Sequence, residues 1–161
     1  MTEISVAKMS HEDIEGTVAL FLELVMQVKS ETRDVYFDFD SISVNEIKTA
    51  FSMSLEDENK IILVAKRDGT LAGFIWGEIT DCFFPLSPVK MIGYIFGAYV
   101  TCSNRGKGIL SALEAKLIDF FKQKGVAYCE LHCMTENKTA RDAWRALGYK
   151  TFREQMRKKI I

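Results

Sequence analysis

Residues 99–117 read YVTCSNRGKGILSALEAKL. The stretch changes character twice. It leaves an apolar run, passes through Arg105, Gly106, Lys107 and Gly108, and enters a segment whose apolar residues Leu110, Leu113, Leu117 and Phe120 or Phe121 recur every three to four positions. That is strand, basic Gly-rich turn, then amphipathic helix. Two readings fit the turn. One is an ordinary solvated loop. The other is a seat for phosphate, because a helix N-terminus offers unpaired N–H groups and a partial positive charge, and glycine lets an anion approach them. The spacing is neither G-x-x-x-x-G-K-[ST] nor G-x-G-x-x-G, so neither a P-loop nor a dinucleotide-binding turn is indicated.

The segments on either side place this turn late in an α/β chain. The MIGYIFGAYV stretch at 91–100 is nearly all apolar and predicts a strand buried on both faces. Upstream, EISVAK at 3–8 predicts a first strand. Ser10, Glu12 and Asp13 open a helix that continues through 14–29, residues 31–41 form a loop, and 44–57 a second helix. IILVAKR and LAGFIWGEIT, joined at RDGT (67–70), predict a hairpin, followed by a loop at 81–90 holding both prolines. Downstream, Gly125 ends the amphipathic helix and 126–134 predicts a strand. Asn137 opens a short helix over 138–147, and YKTFREQMRKKI at 149–160 predicts a final strand. The expectation is one domain spanning 1–161, with a mixed, mostly antiparallel sheet of six to seven strands and helices on both faces.

Composition agrees with a folded domain. Hydrophobic residues make up 48% and charged residues 27% of 161, with a formal net charge of −1, so bulk attraction to nucleic acid or an anionic membrane is not expected. The charges are segregated: residues 1–90 carry 16 acidic and 8 basic side chains, residues 91–161 carry 6 and 13. That split suits an anionic ligand on the second half and a cationic one near the first, and it also suits plain solvated helix faces. The N-terminal sequence does not read as a secretory leader, and no run approaches a membrane span. Cys82, Cys102, Cys129 and Cys133 form no C-x-x-C pair and only two histidines are present. Free thiols in a cytoplasmic protein without a metal are expected.

The segment YVTCSNRGKGILSAL resembles the acetyl-CoA-binding region of the GNAT superfamily of N-acetyltransferases, whose loop follows Q/R-x-x-G-x-G/A. Arg105, Gly108 and Leu110 fall on its three defined positions, with Leu110 standing where Gly or Ala is usual. NKTARDAWRALGY at 137–149 is similar to a second segment of that family, N-x-x-A-x-x-x-Y-x-x-x-G-[FY], matching at Asn137, Ala140, Gly148 and Tyr149, with Leu147 also in keeping. Trp144 departs from it, standing where many members carry a Tyr that protonates the leaving thiolate.

The resemblance implies acetyl-CoA as co-substrate, with no metal, and direct attack by a primary amine on the thioester in a ternary complex. It implies that the backbone of Ala98, Tyr99 and Val100 pairs with pantetheine. The amides of Arg105, Gly106, Lys107, Gly108, Ile109 and Leu110 would hold the pyrophosphate, and Asn137 would cap its helix or lie by the pantetheine arm. Glu78, closing a strand beside the expected acceptor cleft, is the candidate base, followed by Asp81 and Tyr99. Residues 30–45 and 80–90 would recognise the acceptor; Glu31, Asp34, Asp38 and Asp40 beside Tyr36, Phe37 and Phe39 would suit a cationic amine. His132, sharing a strand face with Glu130, is either a structural histidine or an acceptor-site residue. Such a protein would be a monomer or homodimer. The competing expectation is a catalytically degenerate module that binds acyl-CoA for regulation, and a weaker one is a nucleotide-phosphate binder.

Overall fold

Two hydrophobic faces decide the architecture. The computed structural model describes residues 3–161. Its elements are β1 (Ile4–Lys8), α1 (Ile14–Thr32), α2 (Val44–Glu56), β2 (Lys60–Arg67), β3 (Thr70–Asp81), β4 (Met91–Val100), α3 (Ile109–Gln123), β5 (Cys129–Leu131) and α4 (Lys138–Ala146). The strands lie in the order β1-β2-β3-β4-β5. The first four pair antiparallel and β5 joins β4 in parallel. Alternation sends Ile62, Val64, Phe74, Trp76 and Tyr99 to one face, where they pack with Ile14, Val18 and Leu20 of α1 and Ile47 and Phe51 of α2. Leu63, Ala65, Ile75 and Ile95 point the other way and pack against Ile109, Leu113, Leu117 and Phe121 of α3. Helices therefore cover both faces of a mixed sheet.

Local chemistry sets the ends of these elements. The β2–β3 turn carries positive φ at both central residues, 49° at Asp68 and 79° at Gly69, the two-residue geometry whose twist matches the flanking strands. Before α1, one carboxylate oxygen of Asp13 accepts from the Ser10 N–H at 3.0 Å and the Ser10 hydroxyl at 2.9 Å. The other oxygen meets the Lys66 ammonium at 2.6 Å. Burial pushes the Asp13 carboxyl up, but the bonds from Lys66 and Ser10 outweigh it and hold the group below its ordinary range. α3 lies close to the sheet: a Cβ on Gly93 would come within 2.5 Å of the Phe121 ring, and one on Gly77 within 2.5 Å of Leu117.

Three expectations are corrected. Among the described residues the sheet has five strands, where about six to seven were expected. The predicted strand at 126–134 shrinks to Cys129–Leu131. The predicted final strand at 149–160 is irregular chain, with exposed side chains from Lys150 onward. Alternation supplies a pattern but no partner, and a strand without a ladder neighbour leaves its backbone to water. Side chains tie this tail down instead. The Arg157 guanidinium donates to both Asp34 oxygens, at 3.0 and 2.6 Å, and lies over the Tyr36 ring. Asp34 also accepts the Tyr36 N–H, so the loop expected at 31–41 contains a short 3-10 turn, Val35–Phe37.

Candidate active site

β4 and β5 part company early. Their ladder is confined to Gly93–Ile95 against Cys129–Leu131. β4 then runs on to Val100, still paired to β3, while the chain after β5 turns away toward α4. A gap opens between them with its vertex at Ile95. At the same point β4 bulges: the register with β3 steps from Gly77↔Ile95 to Trp76↔Gly97, leaving Phe96 as the extra residue. A pocket of about 420 Å³ occupies the gap. Ala98, Tyr99, Val100, Arg105, Gly106, Gly108, Ile109, Leu110 and Asn137 all line it. Lys107 does not; its ammonium turns back to the Ser103 carbonyl at 2.6 Å.

The pocket's open end is the start of α3. Gly106 and Gly108 have φ of 71° and 79°, and a Cβ on either would meet nothing within 4 Å. Glycine here serves the left-handed backbone and leaves space outside it. Gly108 is the residue preceding the helix and no side chain caps it, so the first N–H groups of α3 face the pocket mouth without a side-chain acceptor. Arg105 braces this turn. Its Nε donates to the Val100 carbonyl at 3.0 Å, another nitrogen donates to Gln27 Oε1 at 2.7 Å, and the guanidinium lies 5.5 Å from the Tyr99 ring centre.

Residues 24–149 match the Acetyltransferase (GNAT) family. The chain belongs to that family. Comparison with curated protein sequences finds no match. Solved structures share the GNAT fold at low identity. A mutant of the BH1408 protein from Bacillus halodurans is 18% identical with a TM-score of 0.86, covering 98% of this chain and 99% of that one. Aminoglycoside N-acetyltransferase AAC(6')-Iy in complex with CoA is 16% identical with a TM-score of 0.82, covering 99% and 96%. Glucosamine-6-phosphate N-acetyltransferase from Arabidopsis thaliana is 22% identical with a TM-score of 0.69, covering 99% of each chain.

Two walls of this GNAT pocket were not read from the sequence. Leu24 and Gln27 of α1 form one; nothing in the sequence of α1 sets them apart. Thr139, Ala143 and Leu147 of α4 belong to the other, with Trp144, and the stripe Ala140, Ala143, Trp144 and Leu147 does carry helical spacing. Trp144 packs edge-on against Tyr149, ring centres 5.4 Å apart. Asn137 is buried and caps α4, its Oδ1 accepting the Ala140 N–H at 3.0 Å.

Glu78 lies outside the pocket, on the sheet face shared with Trp76. Four strands bring polar residues into register there: Lys60 opposite Glu78, Glu78 opposite Tyr94, and Tyr94 opposite Glu130. Lys60 stands 4.0 Å from the Glu78 carboxylate. The Tyr94 hydroxyl is 2.8 Å from Nδ1 of His132, and Arg153 from the tail is 3.2 Å from Nε2 of the same ring. Asp81 is at the exposed end of β3 and lines a separate cavity with Phe84 and Lys90. The Tyr99 hydroxyl donates to Glu23 at 2.9 Å, and burial together with that carboxylate pushes it up to about 12. Burial also pushes the Cys129 thiol up to about 11 and raises Cys133, so neither is an activated thiolate.

Proposed function

We propose that this GNAT protein transfers the acetyl group of acetyl-CoA to a primary amine by direct attack within a ternary complex. One observation carries the reading: an apolar-walled pocket runs from an uncapped helix N-terminus along Ala98–Val100, the part of β4 that has left its β5 neighbour. The α3 N–H groups at Gly108–Leu110 would take the pyrophosphate. The gap-facing backbone of Ala98–Val100 would pair with the pantetheine amides. The thioester then lies toward the vertex, where the Phe96 bulge frees backbone N–H groups to receive the developing oxyanion.

The amine would arrive on the sheet face that carries Glu78, Tyr94, Glu130 and His132. The carboxylates there favour a cationic acceptor. Glu78 would take the ammonium proton, directly or through a water. The name of AAC(6')-Iy, an aminoglycoside N-acetyltransferase, supports an amine acceptor on this fold. Trp144 at the position of the family's Tyr favours a second reading, a module that binds acyl-CoA without turnover. Thiol release from acetyl-CoA over a panel of polyamines, aminoglycosides and lysine peptides, beside calorimetric titration with CoA, separates the two. Turnover on any amine supports the first. Micromolar CoA binding with no thiol release across the panel supports the second, and no binding at all overturns both.

A further inference from the structure

We propose that Tyr94 is a catalytic hydroxyl of this reaction, giving its proton to the departing sulfur, and that His132 and Arg153 are positioning residues that leave its O–H free to do so. The proposal rests on the acetyl-transfer reading above.

The hydrogen-bond chain fixes the direction of every donor. A guanidinium has donors only, so Arg153 at 3.2 Å requires a lone pair on His132 Nε2. In the neutral ring the proton is then on Nδ1. That N–H points at the Tyr94 oxygen 2.8 Å away, and the oxygen accepts. Tyr94's own hydrogen is left over. Among the described residues the Tyr94 hydroxyl has no second protein partner within hydrogen-bond distance. The opposite tautomer would spend the Tyr94 proton on Nδ1 and set two donors against each other at Nε2. Arg153 is itself held, stacked 4.2 Å from the centre of the Phe83 ring.

The location matches the need. Tyr94 sits one residue before the vertex at Ile95 and two before the Phe96 bulge. The pyrophosphate seat is at the far, open end of the gap, so the reacting end of the arm runs toward Tyr94. Trp144 supplies no usable acid, because an indole N–H is a donor that does not titrate in water. Burial of Tyr94, reinforced by Glu78 and opposed by Arg153, keeps the phenol above its ordinary range and therefore protonated at neutral pH.

The step balances as follows. The ammonium gives one proton to Glu78. The amine nitrogen forms the C–N bond to the thioester carbon. The C–S bond then breaks, sulfur leaves with the bonding pair, and it takes the Tyr94 proton. The amide nitrogen's surplus proton returns to the Tyr94 oxygen through water, and Glu78 releases its proton to solvent, one proton per turnover.

The test pairs kinetics with a tautomer measurement on the full chain. Tyr94→Phe should lower kcat about a hundredfold and leave the KM for acetyl-CoA within about twofold. His132→Ala should lose about tenfold in kcat, and His132→Asn, which keeps an N–H near the place of Nδ1, should recover most of it. With ¹⁵N-histidine, the two rings are told apart by His11→Gln. His132 should be the Nδ1–H tautomer in the native protein and shift toward Nε2–H in Arg153→Met. A native Nε2–H tautomer overturns the positioning claim whether or not an acceptor is found. An active native protein with an equally active Tyr94→Phe overturns the proton-donor role alone. Failure of the native protein to release thiol with any amine overturns the acetyl-transfer reading and the catalytic role with it.

Discussion

Two helices begin at the same pocket and begin differently. α4 opens with Asn137, whose side chain accepts the Ala140 N–H at 3.0 Å. α3 opens with Gly108, which has no side chain to offer. Both ends carry the same peptide dipoles. One is satisfied by its own chain and the other waits for an acceptor from outside. A capped helix start serves stability; an uncapped one on an open pocket leaves its N–H groups open to an anion.

The sharpest way to break this contrast is Gly108→Glu. It strains a backbone at φ 79° and puts a carboxylate where phosphate oxygens would sit. CoA affinity should fall at least about a hundredfold by calorimetry, near 2.7 kcal/mol, while far-UV circular dichroism keeps its native form. Ligand-linked stabilisation gives the next effect. CoA at a hundred times its Kd should add about 2.7 kcal/mol to the native protein, read as a rise in Tm, and should add almost nothing to Gly108→Glu. Arg105→Ala should come third. It removes the brace between Val100, Gln27 and the turn, and CoA should bind about tenfold more weakly. Lys107→Ala, whose ammonium faces away toward Ser103, should cost less than about threefold, a gap that shrinks as salt rises. Asn137→Ala closes the series from the other helix. It should cost about 1 kcal/mol of stability in urea titrations, with CoA affinity changed less than about twofold. A hundredfold loss of CoA in Asn137→Ala would erase the distinction between the two helix starts.

The α3 turn was readable because its information is local. Arg105, Gly108 and the leucine spacing that follows sit within one short stretch, and the helix with its glycine start follows from backbone rules. The α4 helix was readable for the same reason, though not its place as a pocket wall. The polar face was not. Glu78, Tyr94 and Glu130 come from three strands, and only the pairing register places them side by side. Glu78 was reached as a strand-end acid and Glu130 with His132 as one strand face, but nothing joined them to each other or to Tyr94. The extra residue Phe96 has no sequence signal, since a bulge is a property of two strands together. The tail failed in the opposite sense: alternation at 149–160 suggested a strand, but β5 has three ladder residues and offers it no edge to follow.

Gly93 and Gly77 bring Phe121 and Leu117 onto the sheet backbone just at the closed end of the gap. The consequence is kinetic and entropic. Close-packed helix and sheet cannot slide without creating a void, so the fork between β4 and β5 is held at its width before any ligand arrives. Binding then spends little on ordering the host. The association rate should be set by diffusion into an already open slot, and residence time by how firmly its two ends grip the guest.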